Sequence, residues 1–127
     1  MSRRITKEIE GITFTRRNDS EITAGASWVF NVEEDPQLAK YGAFDVLTIN
    51  NFSVCNIEVQ VNQNSDKSKY IAPNVGCDFE YPNAVHGFKV INKDTTNTIN
   101  ANELEVIFTL KGADADRLAK KILRWLP

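Results

Sequence analysis

The segment "CNIEVQVN", from Cys55 to Asn62, establishes the fold class of this 127-residue chain. Apolar side chains at 55, 57, 59 and 61 alternate with polar side chains without an exception. Successive side chains of a β-strand point to opposite faces, so this spacing predicts a strand with one buried and one solvated face. Polar residues follow at 63–70, and they form either a binding site or a turn.

The same alternation recurs along most of the chain. Short stretches that end at Pro73 and Pro82 favour edge strands, because proline cannot donate to a β-ladder. In contrast, "AFDVLTIN" carries apolar groups on both faces and predicts a central, covered strand. About eight strands are predicted, over residues 10–16, 27–32, 43–50, 55–62, 70–74, 77–83, 86–92 and 103–110.

Two parts of the sequence are similar to each other. Each runs from one strand through an Ile-Asn turn into a long alternating strand, beginning at Phe44 in one case and at Phe88 in the other. We interpret them as two hairpins from which facing sheets are built. On this interpretation, the polar run 63–70 is predicted to be a loop between the two halves of the sandwich.

Helical signals occur in two places. Asp35, Pro36 and Gly42 have the order of a cap, a first-turn proline and a glycine stop, which predicts one or two helical turns. In residues 113–127 the apolar positions follow a spacing of 3.6 and basic residues fill the last turns, which predicts an amphipathic helix. Its apolar stripe packs either on its own domain or on a neighbouring protein.

Composition and charge narrow the function. The net charge of −2 gives no overall field to attract nucleic acid or an anionic membrane. No secretion signal or membrane span is evident, so synthesis in a cytoplasm is the expectation. The 13 asparagines tolerate left-handed backbone and cap turns, which indicates many connections between strands.

Candidate catalytic groups are few. Cys55 is in phase with a buried strand face and is expected to be a small core residue, while a disulfide to Cys77 stays open as an alternative that a reducing compartment disfavours. His86 is the single histidine, and no motif accompanies it to build a Cys-His nucleophile. The polar loops lack the closing Glu of a calcium site, and no phosphate loop is present. We expect no catalytic site, metal or cofactor.

The ends of the chain carry the remaining signals. Arg3 and Arg4 belong to a basic N-terminal arm that could touch phosphates, but no row of exposed aromatic residues accompanies them. Pairing of this arm with an adjacent subunit explains the same residues. At the other end, Trp125 widens the apolar stripe that includes Ile122 and Leu126.

The order of short motifs resembles small β-sandwich proteins that coat or join bacteriophage and archaeal virus particles. The resemblance covers residues 43–110 and rests on "FDVLTINN", "IEVQVN", "YIAPN", "FKVIN" and "TINANELEV". It implies a jelly-roll-like sandwich, repeated copies, and contacts made by arms and helices outside the sandwich. No catalytic residues come with it.

These observations combine into one expectation. The chain is expected to be a mainly β, antiparallel sandwich or jelly roll over 10–112, with an arm over 1–9 and a helix over 113–127. We expect a non-enzymatic virion protein, made in a host cytoplasm, that binds other virion proteins and its own copies. Membrane, nucleic-acid and small-molecule partners are disfavoured. The predicted contact residues are Arg3, Arg4, Ile122, Trp125 and Leu126.

A second hypothesis is a ligand-binding sandwich that recognises sugars. Sugar binding usually needs an exposed aromatic platform, and Phe52, Tyr70 and Tyr81 are the candidates for its rim.

Overall fold

A computed structural model describes residues 11–111 of the chain. The predicted N-terminal arm over 1–9 and the C-terminal helix over 113–127 lie outside the described residues, and so do all five predicted contact residues. No helix within 11–111 has the length and apolar character needed to span a membrane.

The described part of the chain is built from eight strands and one short α-helix, α1, at Pro36–Ala39. Single 3₁₀ turns at Val32–Glu34 and Ser65–Lys67 complete the regular structure. The strands are β1 Gly11–Arg17, β2 Ser27–Asn31, β3 Phe44–Asn51, β4 Ile57–Val61, β5 Ser68–Ile71, β6 Val75–Val85, β7 Gly87–Asn92 and β8 Leu104–Lys111.

The strands form two four-stranded antiparallel sheets. One sheet has the order β1-β8-β3-β6 and the other the order β2-β7-β4-β5. Most consecutive strands therefore lie in different sheets, so the chain passes repeatedly from one sheet to the other. Two sheets of four strands with these crossings are the jelly-roll arrangement of two Greek keys. The predicted mainly β sandwich of about eight strands is confirmed.

The inner faces of the two sheets bury the core. Ile57, Val59 and Val61 of β4 are fully buried, as the alternation predicted. Phe108 of β8 joins the sheets, since its ring centroid lies 5.4 Å from that of Phe30 on β2. Such tilted aromatic pairs add about 1 kcal/mol beyond the area they bury.

The two predicted hairpins are not hairpins. β3 pairs with β6 and β8, whereas β4 pairs with β5 and β7, so the connection between β3 and β4 crosses from one sheet to the other. β7 and β8 are separated in the same way. The interpretation of 63–70 was also wrong, because residues 62–67 turn between β4 and β5 within one sheet and residues 68–70 belong to β5 itself. Sequence similarity identified equivalent crossings but could not show which strands pair.

Strand β6 passes through the predicted stop at Pro82. On β3, Val46 is opposite Glu80 and Phe44 is opposite Val85, so the register of the pairing shifts between these two positions. The four residues of β6 between Glu80 and Val85 therefore form an irregularity in the ladder. Asn83 adopts a φ of 56° there. Proline is tolerated because β6 is an edge strand, as predicted, and edge strands and bulges do not need every N–H group.

The cap of helix α1 is formed as predicted. The Oδ1 atom of Asp35 accepts hydrogen bonds from the backbone N–H groups of Gln37 and Leu38, at 2.9 and 3.2 Å. Its Oδ2 atom lies 2.9 Å from Nε of Arg16, a residue of β1. The Arg16 hydrogen bond is the main reason that the pKa of Asp35 lies below its ordinary value, and the two backbone N–H groups act in the same direction.

We expect Asp35→Ala to lower the free energy of unfolding at pH 7 by on the order of 1–2 kcal/mol, because a cap and an ion pair are lost together. Asp35→Asn keeps a capping oxygen and should lose less. A carboxyl whose folded pKa is lowered stabilises the fold above its unfolded pKa of about 3.9. The advantage of the natural chain over Asp35→Asn should therefore disappear as the pH falls through the lower, folded-state value. Urea unfolding from pH 7 to pH 3 measures this, and a pH-independent difference would contradict it.

Candidate interaction surface

Four connections meet at one end of the sandwich, which we call the loop end. They are the β1–β2, β3–β4, β5–β6 and β7–β8 connections, over residues 18–26, 52–56, 72–74 and 93–103. Antiparallel pairing brings them together, since Arg17 is opposite Glu105 and Asn51 is opposite both Leu104 and Val75. The opposite end holds the other three connections.

Three buried asparagines hold the loop end together. Asn51 donates from Nδ2 to the carbonyl of Cys55 at 2.8 Å and to that of Ala72 at 3.2 Å. Its Oδ1 atom accepts from both N–H and O–H of Ser53, at 3.0 and 2.6 Å. The Asn51 side chain therefore joins the β3–β4 and β5–β6 connections by direct hydrogen bonds.

Asn18 and Asn92 likewise join the other two connections through side-chain hydrogen bonds. Asn18 donates to the carbonyl of Asn100 at 2.9 Å and accepts from the N–H of Leu104 at 3.0 Å. Asn92 donates to the carbonyls of Ile22 and Asn97, at 2.9 and 3.0 Å. Both side chains thus tie the β1–β2 connection to the β7–β8 connection.

The expectation that asparagine marks the connections is confirmed, and Asn62, Asn74, Asn83 and Asn102 also have positive φ.

Apolar side chains project from this closed end into solvent. Phe52 is 53% exposed, Val54 68% and Val75 46%. We call Phe52, Val54 and Val75 the loop-end patch. The guanidinium of Arg17 lies 6.0 Å from the centre of the Phe52 ring, and the Phe52 N–H donates to the Glu103 carbonyl at 2.9 Å.

The charged side chains within the four connections are mainly acidic, whereas the charged group beside Phe52 is the Arg17 guanidinium. Asp19, Glu21, Asp94 and Glu103 lie in the four connections, where Lys93 is the single basic residue. The pKa of Asp94 lies below its ordinary value because the backbone N–H groups of Asn97 and Thr96 hydrogen-bond to its carboxylate. Asp94 is therefore an anion at neutral pH.

The two ends of the described chain emerge at the opposite end of the sandwich, which we call the terminal end. Gly11, the first described residue, is directly paired with Lys111, the last one. The N–H of Lys111 donates to Oδ2 of buried Asp45 at 2.9 Å. The terminal end thus holds the positions from which residues 1–10 and 112–127 continue.

A cleft of about 630 Å³ also lies at the terminal end. Asn31, Glu33, Asn83 and His86 contribute polar groups to its wall. His86 is exposed, and its main chain is fixed because its N–H donates to Oδ1 of Asn62 at 2.6 Å. The cleft therefore has one titratable imidazole and the carboxylate of Glu33.

The cysteines and the histidine are not brought together as a catalytic pair. Cys55 is fully buried at the loop end, and burial raises the pKa of its thiol, so it is confirmed as a core residue. Cys77 lies on β6 opposite Ile49, while His86 follows the far end of the same strand. Both cysteines are free thiols. Within residues 11–111 no three His, Cys, Asp or Glu side chains form a group that could hold a metal ion.

The predicted aromatic rim is divided among three elements. Phe52 belongs to the loop end, Tyr70 to edge strand β5 and Tyr81 to edge strand β6. Tyr70 is 66% exposed, whereas Tyr81 is half-buried with Nζ of Lys67 4.4 Å from its ring centre. Tyr70 is the most accessible of the three, and the Lys93 ammonium lies 5.9 Å from its ring.

Sequence reasoning missed the loop-end patch as a surface. Val54 has the same parity as Asn56 and Glu58, which are on the solvated side of the alternation. The sequence did contain one signal for this surface, because Val54 is an apolar residue at a position where the alternation predicts a polar one. The position of Val75 beside it depends on pairing between β3 and β6, which the sequence does not show.

Comparisons with known proteins identify the fold but no family. The sequence matches no family model, and no curated protein is significantly similar to it. The structure is similar to Tobacco streak virus coat protein, with a TM-score of 0.51 and 11% identity over 80% of this chain and 85% of the coat protein. A structure of the dimer of that coat protein has a TM-score of 0.51, 11% identity and coverages of 81% and 85%.

A bacterial module is equally similar in structure. A low-affinity xylan-binding module from the gut symbiont Roseburia intestinalis has a TM-score of 0.52 and 10% identity, over 80% of this chain and 98% of the module. At such identities the likeness concerns the fold alone. The same sandwich therefore occurs in a coat protein and in a binding module.

The buried asparagines are expected to be essential for the loop end. Asn51→Ala removes the partner of the Cys55 and Ala72 carbonyls in a buried site, and should lower the free energy of unfolding by on the order of 3 kcal/mol. Asn50→Ala is the matched control, because its half-buried side chain makes one bond at the surface, to Glu105 at 2.9 Å, and should cost less than about 1 kcal/mol. Urea unfolding of both variants measures the difference. Equal losses would show that the buried hydrogen bonds do not hold the connections.

Proposed function

We propose that this protein is a non-enzymatic structural component of a virus particle that assembles through its two terminal segments. The observation that carries the proposal is the pairing of Gly11 with Lys111, which starts both segments from neighbouring strands at one end of the sandwich. The basic arm with Arg3 and Arg4 and the apolar stripe with Ile122, Trp125 and Leu126 then act from the same end.

A separate role for these segments is supported by the core that the two described sheets form between them. The buried core consists of residues from both sheets, including Phe44, Phe88 and Phe108. An apolar stripe on residues 113–127 is thus not required to complete this core, and contact with another molecule gives it a function.

A coat protein of the same fold supports a role in a particle. Its structure as a dimer makes self-association the first property to test here. Within a particle, the role we propose is that of a minor capsid, decoration or head-to-tail component of a bacteriophage or archaeal virus, made in the host cytoplasm. The partners are other virion proteins and further copies of this chain.

The proposal includes no catalytic step, cofactor or membrane. Buried Cys55 is held as a thiol, and the distance along β6 separates Cys77 from His86, which leaves no nucleophile paired with a base among these three residues. Nucleic acid and small molecules are not the expected ligands.

A second candidate function, carbohydrate binding, is favoured by one observation. Tyr70 lies on the outer face of its sheet opposite Glu58, and Glu58 is 3.8 Å from Lys93. An exposed ring beside charged hydrogen-bonding groups is a chemistry that can hold a sugar. The similar xylan-binding module makes xylan oligosaccharides the first ligands to try.

The assembly proposal is tested first with purified protein. The double variant Ile122→Asp, Trp125→Asp should shift the full chain from oligomer to monomer in sedimentation velocity, because two charges interrupt the apolar stripe. Asp114→Asn with Asp116→Asn is the control, since it changes the same segment but keeps the stripe and its basic neighbours, and it should retain most of the assembly. An unchanged size distribution for the aspartate variant would exclude the stripe as the contact.

The particle role is tested separately. Virus particles banded in a density gradient from the source culture should contain peptides of this chain in stoichiometric amounts by mass spectrometry. Peptides found in the cell lysate but absent from the banded particles would refute the virion role.

The carbohydrate alternative makes a different prediction. Xylan oligosaccharides should bind saturably in calorimetry, and Tyr70→Ala should weaken binding at least tenfold, while Tyr81→Ala should have a smaller effect because its ring is half-buried. Absence of saturable binding on a broad glycan array would exclude this function.

A further inference from the structure

We propose that the loop-end patch is the docking surface for the C-terminal segment, residues 112–127, of a second copy of this chain, so that copies join head to tail. The inference rests on the proposed function in one respect, since it uses the terminal segment as the assembly contact. It adds the surface that this segment binds and the symmetry that follows.

The patch has the properties of a preformed docking surface. Phe52 and Val54 lie in a five-residue connection whose backbone is held by the buried Asn51 side chain and by the Glu103 carbonyl. Val75 begins strand β6 beside them, opposite Asn51. Apolar groups on a fixed backbone lose little conformational entropy on binding, which favours association.

The terminal segment complements the patch in both polarity and charge. Its sequence, "GADADRLAKKILRWLP", supplies an apolar stripe with Ile122, Trp125 and Leu126. The basic residues beside that stripe are Arg117, Lys120, Lys121 and Arg124. The connections at the loop end carry four carboxylates and one lysine, and Arg17 beside Phe52 is paired with Glu105. An apolar centre with an oppositely charged rim is the usual composition of a specific interface.

The segment starts at the end of the sandwich opposite the patch. It follows Lys111 at the terminal end, and the eight residues of β8 separate that end from the loop end by about 25 Å.

The outer face along which it would have to fold back carries several polar pairs beside Val46 and Ile107. Glu105 bonds to both Arg17 and Asn50 across three strands, at 2.9 Å in each case. Thr48 bonds to Asp78 at 2.6 Å, and Lys111 forms an ion pair with Glu80. An apolar stripe packed there would displace these polar pairs, whereas the loop-end patch of a second copy offers apolar groups.

The contact is heterologous, because the tail of one copy binds the opposite end of the next. Such contacts close into a ring when the rotation per copy permits and otherwise extend into a filament. Rings and filaments are both forms in which a virion component can be repeated.

Complementation between two full-length variants tests the inference. The patch variant Phe52→Asp has an intact tail, and the tail variant Ile122→Asp, Trp125→Asp has an intact patch. Each alone should sediment as a monomer, whereas their mixture should form a one-to-one dimer that cannot grow. The mixed dimer should weaken severalfold between about 50 and 500 mM salt, as expected for exposed charges.

The controls separate the alternatives. Val29→Asp alters a valine of similar exposure, 45%, on the outer face of the other sheet, and should assemble like the natural chain. If Phe52→Asp does not give the natural circular dichroism spectrum, Val54→Asp replaces it.

Three results would overturn the inference. Assembly of the patch variant alone would mean that tails bind tails, and assembly of the tail variant alone would mean that patches bind patches. A mixture that stays monomeric would exclude the head-to-tail contact. Detection of the chain in virus particles, tested independently, distinguishes failure of this contact from failure of the virion role.

Discussion

The loop end depends on three buried carboxamides. Four connections converge there, and the buried backbone N–H and C=O groups among them would each cost about 1–3 kcal/mol if left without partners. Asn18, Asn51 and Asn92 supply those partners, because one amide both donates and accepts. Because these hydrogen bonds satisfy the buried polar groups, the backbone of the connections is fixed. The apolar side chains of Phe52 and Val54, which belong to the same connections, face outward.

This constraint gives the sandwich two unlike ends. The loop end presents apolar side chains with acidic neighbours, while the terminal end is where β1 begins and β8 ends. The outer face of the β1-β8-β3-β6 sheet carries cross-strand polar pairs, which suit solvent better than a large apolar partner. A molecule whose ends differ in this way is suited to directional, repeated contacts.

The fold alone does not choose among functions. A coat protein and a xylan-binding module share this architecture with the chain, and the difference between such proteins lies in loops and exposed side chains. In this chain the exposed apolar side chains of the loop end are Phe52, Val54 and Val75. Tyr70, on the outer face of the other sheet, is the feature that keeps carbohydrate recognition as a competing function.

Alternating residues in "CNIEVQVN" and in the other strands determined the β class, the buried faces and the number of strands, because side-chain direction in a strand depends on local parity alone. Asp35, Pro36 and Gly42 likewise determined a short helix through local capping. Strand pairing was decided only by tertiary structure, since it joins residues as distant as Gly11 and Lys111. The hairpins were mispredicted for that reason, and the position of Val75 beside the β3–β4 connection could not be predicted because it depends on the pairing of β3 with β6.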